Sequence, residues 1–108
     1  MKVNDLVSGG FKPIAVSDPE REVSGAYMGD LLSWVMGRAE ADNVWITIMS
    51  NVNVAAVASL ADVGCVVLAE GVEPDPELTA AAQSRGINLL GSEHPAYETA
   101  LRLRALGL

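Results

Sequence analysis

The apolar positions of this chain fall into two regimes that meet near Asn43. From Val44 onward, short continuous apolar runs alternate with segments of helical spacing, and turn residues separate them. Val44 to Met49 (VWITIM) is a β-branched run of strand length. Ser50 and Asn51 follow it, and then Val52 to Ala61, small and apolar nearly throughout, as suits a helix packed closely on a sheet. Gly64 is expected to close that helix. Cys65 to Ala69 predicts a second apolar strand. Asp75, Pro76 and Glu77 then offer a helix start in the order cap, first-turn proline, early acid. Leu78, Ala81, Ala82 and Arg85 share one face of that helix, and Gly86 stands just past its end. Ile87 to Leu90 predicts a third strand, and Ser92 to Pro95 leads into a last helix from Ala96 to Leu106, ended by Gly107. Continuous apolar strands need helical cover on both faces, so these three strand-helix repeats predict a parallel sheet with right-handed crossovers.

The chain before Val44 is less regular. A short helix is expected around Val3 to Val7, then a break at Gly9 and Gly10, then an extended stretch from Phe11 to Val16 in which Pro13 marks an edge strand. Ser17 to Glu22 reads as a polar turn and Val23 to Met28 as a further strand. Asp30 looks like the cap of a helical block holding Leu31, Leu32, Trp34, Val35 and Met36, which ends near Gly37. The pattern as a whole predicts an α/β fold, a layered α/β/α arrangement with a mainly parallel sheet of about five strands, in one domain over residues 1–108.

Composition narrows what such a domain does. Half of the residues are hydrophobic and only 19% are charged, which excludes a disordered chain. Seven Lys or Arg against fourteen Asp or Glu give a formal charge of −7, which argues against nucleic acid or an anionic membrane as a partner. Cys65 is the only cysteine and sits in an apolar run, so it reads as a small buried hydrophobe in a reducing, cytoplasmic protein. The N-terminal MKVNDLVSGG lacks the apolar core of a signal peptide, and no run is long enough to cross a bilayer, so a soluble protein is expected. No phosphate-binding loop, dinucleotide fingerprint, zinc motif or serine elbow is present, and His94 is the only histidine. The expectation is a module without catalytic activity, cofactor or metal.

In open α/β sheets, ligands bind beyond the carboxyl ends of the strands, where helix N-termini present unpaired N–H groups. Those ends are Ser50 and Asn51, Glu70 and Gly71, and Ser92 to His94. Each has an ordinary reading beside a functional one. Ser50 and Asn51 either cap the following helix or contact a ligand, and Asp30 is either a cap or a ligand carboxylate. Glu70 is a crevice carboxylate or a solvated loop acid; Glu73 and Asp75 crowd the same loop, and three acids there would repel a phosphate. His94 is a surface residue, a pH-sensitive contact or a general base. Met28, Trp34, Met36, Trp45 and Met49 are core residues or, if several stand outside together, a homodimer interface.

The order of these motifs resembles the DRTGG domain family and is similar to the N-terminal domain of HPr kinase/phosphorylase. The resemblance rests on VWITIMSNxNVAAVASL, on VVLAEGVEPDPEL with Gly71, Pro74 and Pro76 in the family's Gly-x-x-Pro-x-Pro, and on GINLLGS. The family's Asp-Arg pair falls at Ser50 and Asn51, its Gly-Gly pair at Glu70 and Gly71, and its later Asp-Thr near Pro95 and Ala96, so only Gly71 is retained. The resemblance implies a regulatory module, found alone or beside CBS domains, that senses a small-molecule effector. The leading expectation is such a module, as a homodimer, binding a small molecule or a partner protein through Asp30, Ser50, Asn51, Glu70, Gly71, Ser92 and His94. A protein-binding accessory subunit with no small-molecule site is the alternative; an enzyme pairing Glu70 with His94 is a third reading.

Overall fold

The computed structural model describes residues 1–108. Five strands, β1 (Lys12–Ala15), β2 (Ala26–Met28), β3 (Val44–Thr47), β4 (Cys65–Leu68) and β5 (Leu89–Gly91), form one sheet in the order β1-β5-β4-β3-β2. Strands β2, β3, β4 and β5 run parallel, and β1 lies antiparallel against β5. The helices are α1 (Val3–Ser8), α2 (Leu32–Arg38), α3 (Asn53–Ala61), α4 (Pro76–Arg85) and α5 (Ala96–Leu106). The expected α/β class and mainly parallel sheet are therefore what the chain forms.

Every residue of β3, β4 and β5 is buried, which is why these strands carry apolar runs without alternation. The pleat divides them. Trp45, Val66, Leu68 and Leu89 face one core, closed by Val35 of α2, Val54 and Ala58 of α3, and Leu78 and Ala82 of α4. Val44, Ile46, Cys65, Val67 and Leu90 face the other, closed by Val3 and Leu6 of α1, Phe11, Val23 and Leu103 of α5. Pro13 sits in the edge strand β1 as expected, at a register shift between Pro13 and Ala15.

Several boundaries differ from the sequence reading, each for a physical reason. Gly64 does not close α3. Asp62 does, in a left-handed conformation at φ 54, its N–H donating to Ser59 O. Gly64 instead lets Val23 approach the sheet, since a Cβ there would stand 2.6 Å from Val23 Cγ1. Asp30 does not cap α2; the helix starts after an extended Leu31 and has no side-chain cap. The Val23 to Met28 strand shrinks to Ala26–Met28, because Val23 turns into the core and Gly25 takes φ 67. The N-terminal segment is tied to the body by Arg21, which reaches Asp42 at 2.9 Å and Asp62 at 3.2 Å.

Candidate functional site

The parallel strands deliver three loops to one rim of the sheet, and backbone hydrogen bonds fasten these loops side by side. Asp75 N–H donates to Ser50 O at 2.9 Å, Glu70 N–H to His94 O at 2.8 Å, and Gly71 N–H to Ser92 O at 2.8 Å. Ser50, Asn51, Glu70, Gly71, Ser92 and His94 thus lie on one connected rim. Asp30 joins it from the β2–α2 loop, where its Oδ1 accepts from Thr47 Oγ1 at 2.7 Å and from Ile48 N–H at 3.0 Å. That carboxylate anchors the end of β3 instead of capping a helix.

The side chains on the rim divide into structural and free groups. Asn51 Oδ1 accepts from Asn53 N–H at 2.9 Å, and Val52 is already helical at φ −61, so Asn51 acts as the cap of α3. Ser50 takes no part in capping; its carbonyl, not its hydroxyl, holds the neighbouring loop. Glu70 and Gly71 are both left-handed, at φ 62 and 68, in a turn closed by Val72 N–H donating to Ala69 O at 3.1 Å. At φ 68 glycine is favoured at position 71, and a Cβ there would lie 2.8 Å from Glu93 Oε2, so the Glu93 side chain would have to move aside. Glu70 projects an exposed carboxylate.

Ser92 and Thr99 build the entry to α5. Thr99 Oγ1, fully buried, donates to His94 O at 3.2 Å and accepts from Ser92 Oγ at 2.8 Å, and Ser92 Oγ accepts from His94 N–H at 3.2 Å. This closed circuit fixes where the His94 side chain starts. Its Nδ1 then pairs with Glu98 Oε2 at 3.0 Å, one helical turn along α5. The backbones of Glu70 and His94 touch, but the imidazole turns to Glu98, so the two do not form an acid-base pair.

Beside Ser92 and His94 the rim opens into a cleft of about 120 Å³. Gly9, Gly10 and Lys12 form its other wall, and Arg102 and Glu93 complete it. The antiparallel pairing that sets Lys12 opposite Gly91 brings this N-terminal segment to the carboxyl end of β5. Lys12, His94 and Arg102 thus gather at one place in a chain whose formal charge is −7. Lys12 Nζ lies 3.6 Å from Glu73 Oε1, a loose exposed pair that leaves it free to turn inward. Sequence reasoning did not single out Gly9, Gly10, Lys12 and Arg102, which line this cleft. The adjacent glycines ahead of a lysine were the one local signal, and it read as a chain break.

The large apolar residues separate cleanly. Trp45 is fully buried, with Nε1 donating to Gly29 O at 2.9 Å, and Met49 is half-buried against the same core. Met28, Trp34 and Met36 are exposed by 51%, 52% and 47%. No helix is long and apolar enough to cross a membrane.

The chain thus forms an open α/β/α sheet with stitched loops at its carboxyl rim and a small cleft lined by Lys12, Glu93, His94 and Arg102. Neither a family model nor a curated protein sequence matches the chain. Among solved structures, it is similar to the CBS and DRTGG domains of the regulatory region of Clostridium perfringens pyrophosphatase, complexed with its activator, diadenosine tetraphosphate. The TM-score is 0.67 at 14% identity, over 93% of this chain and 44% of that one. The likeness is one of fold, and it supports the DRTGG-like architecture implied by the sequence motifs. The chain spans less than half of that structure.

Proposed function

We propose that the protein is a cytoplasmic regulatory module, without catalysis of its own, that senses an anionic small molecule at the carboxyl rim of its sheet and works as a homodimer. The observation that carries this reading is the convergence of two cations, Lys12 and Arg102, beside His94 and a single lining acid, Glu93, on one cleft of an otherwise acidic chain. A cleft of about 120 Å³ suits a phosphate or carboxylate head, being smaller than the roughly 300 Å³ or more of a site enclosing a whole drug-sized ligand. The remainder of the ligand then lies along the rim toward Glu70, Ser50 and Asn51. The regulatory region of the pyrophosphatase with the same fold was solved with a nucleotide activator, which makes phosphorylated nucleotides the first class to test. No catalytic pair is needed for this role, and the turning of His94 to Glu98 leaves Glu70 without a partner for proton transfer.

A thermal-shift screen against adenine nucleotides, dinucleoside polyphosphates, cyclic dinucleotides, acetyl-CoA and sugar phosphates tests the proposal. A ligand at a hundredfold excess over its Kd adds about 2.7 kcal/mol of stability. The expected result is a hit that the Lys12→Ala/Arg102→Ala double variant abolishes while its own melting temperature stays near wild type, both residues being exposed. A flat screen, or a hit indifferent to both substitutions, would overturn the reading. The flat outcome would favour a protein-binding accessory role, to which the exposed Met28, Leu31 and Trp34 already point.

A further inference from the structure

Charge is sorted along the carboxyl rim. Lys12 and Arg102 stand in the cleft, and Arg102 makes no ion pair. Carboxylates follow at once on the side that leads toward the β4–α4 loop. Glu93 lines the cleft, and its Oε2 lies 2.8 Å from where a Cβ on Gly71 would stand, so it rests against the turn that carries Glu70. Glu73, further along that loop, lies 3.6 Å from Lys12 Nζ. Glu70 and Glu93 are exposed, and neither is in an ion pair. Two uncommitted carboxylates therefore border the one cleft where Lys12 and Arg102 meet.

The two signs of charge make opposite demands on a ligand. Lys12 and Arg102 attract an anionic head. An ionised carboxylate can only accept hydrogen bonds, so whatever follows the head past Glu93 and Glu70 must donate them. A second phosphate in that position has no proton to give near neutral pH and sets further negative charge against both acids. A sugar hydroxyl is neutral and donates.

We propose that the rim selects the phosphomonoester of a hydroxylated molecule, a sugar phosphate or nucleoside monophosphate, and discriminates against polyphosphates. Lys12 and Arg102 hold the phosphate, and Glu93 and Glu70 accept from the hydroxyls behind it. This inference rests on the anion-sensing reading above and narrows its ligand. It also sets this chain apart from diadenosine tetraphosphate, the activator in the pyrophosphatase structure of like fold, which is expected to bind here more weakly than AMP.

The test is titration calorimetry of the full chain with ribose 5-phosphate, AMP, 2′,3′-dideoxy-AMP, ADP, ATP and diadenosine tetraphosphate, with EDTA present so that no divalent cation screens the acids. Affinity is expected to fall from AMP to ADP to ATP, and to fall on loss of the two ribose hydroxyls. Glu93→Gln and Glu70→Gln, at exposed positions, are each expected to narrow the gap between AMP and ATP by about two- to fivefold, the range of one exposed charge interaction. Affinity that rises from AMP to ATP, and is still abolished by the Lys12→Ala/Arg102→Ala double variant, would overturn this selectivity and leave the anion cleft standing. Equal binding of AMP and its dideoxy analogue would overturn it as well. So would a failure of both ribose 5-phosphate and AMP to bind, and the wider thermal screen then decides whether the anion cleft falls with it.

Discussion

Asn88 ties two remote segments together through three hydrogen bonds. It is buried, accepts from Asp18 N–H at 2.9 Å, and donates to Asp18 O at 2.9 Å and Gly64 O at 3.1 Å. Asn88→Ala leaves those groups unpaired and is expected to lower stability by about 2–3 kcal/mol, read as a shift in urea midpoint. Cys65 makes a different prediction. Burial pushes its thiol up to about 12, with Arg21 pulling weakly downward. An unfolded thiol ionises near pH 8.5, so the stability linked to Cys65 is complete below that pH and declines as pH rises toward the folded value. Because lysines and tyrosines titrate in the same range, the readout is the difference in slope against Cys65→Ala, expected to be of order 1 kcal/mol per pH unit. Equal slopes would mean that the thiol is hydrated in the fold. The burial of Cys65 was readable from its apolar run. The contrast between Trp45 and Trp34 was not, because each stands in an apolar block, and only the tertiary structure shows that β3 is an interior strand and that Trp34 lies on the outer side of α2. Asp30 misled for a related reason: aspartate before a helical block resembles a cap, and its true partners, Thr47 and Ile48, are remote in sequence.

Among the elements, those of the C-terminal half were all readable, α4 and α5 at both ends, because its parallel strands are fully buried and these two helices carry strong start and stop signals. β3 ends two residues earlier than its apolar run, β5 starts two residues later, and α3 stops at Asp62 instead of Gly64. β2 was less readable, being three residues long and half exposed, with no alternation to mark it. The turn at Glu70 and Gly71 explains one departure from the family pattern. Both positions are left-handed, which favours the family's Gly-Gly; Gly71 meets that preference, while Glu70 is a non-glycine residue in a strained conformation. Glu70→Gly relieves that strain at some cost in unfolded-state entropy and is expected to raise stability by about 0.5–1 kcal/mol in thermal denaturation. If it also weakens ligand binding, the strain is kept for the carboxylate. A loss of stability would show that the Glu70 side chain contributes to the fold.

At the scale of the molecule, sequence order hides the cleft. Ser92 and His94 were foreseeable because strand ends are where α/β sheets bind ligands, whereas Gly9, Gly10, Lys12 and Arg102 arrive only through the antiparallel return of β1 beside β5 and the packing of α5. An anion held there by exposed cations should bind less tightly as salt rises, and titration calorimetry between low and physiological ionic strength is expected to show weaker affinity at the higher salt. The most direct test of the account is a two-dimensional amide NMR titration of the intact protein with the best ligand from the thermal screen. Saturable shifts are expected at Gly9, Gly10, Gly91, Ser92 and Arg102, continuing along the rim toward Glu70 and Gly71. Shifts confined to the opposite end of the strands, around Asp18, Arg85 and Asn88, would contradict it, as would a spectrum that no phosphorylated ligand perturbs.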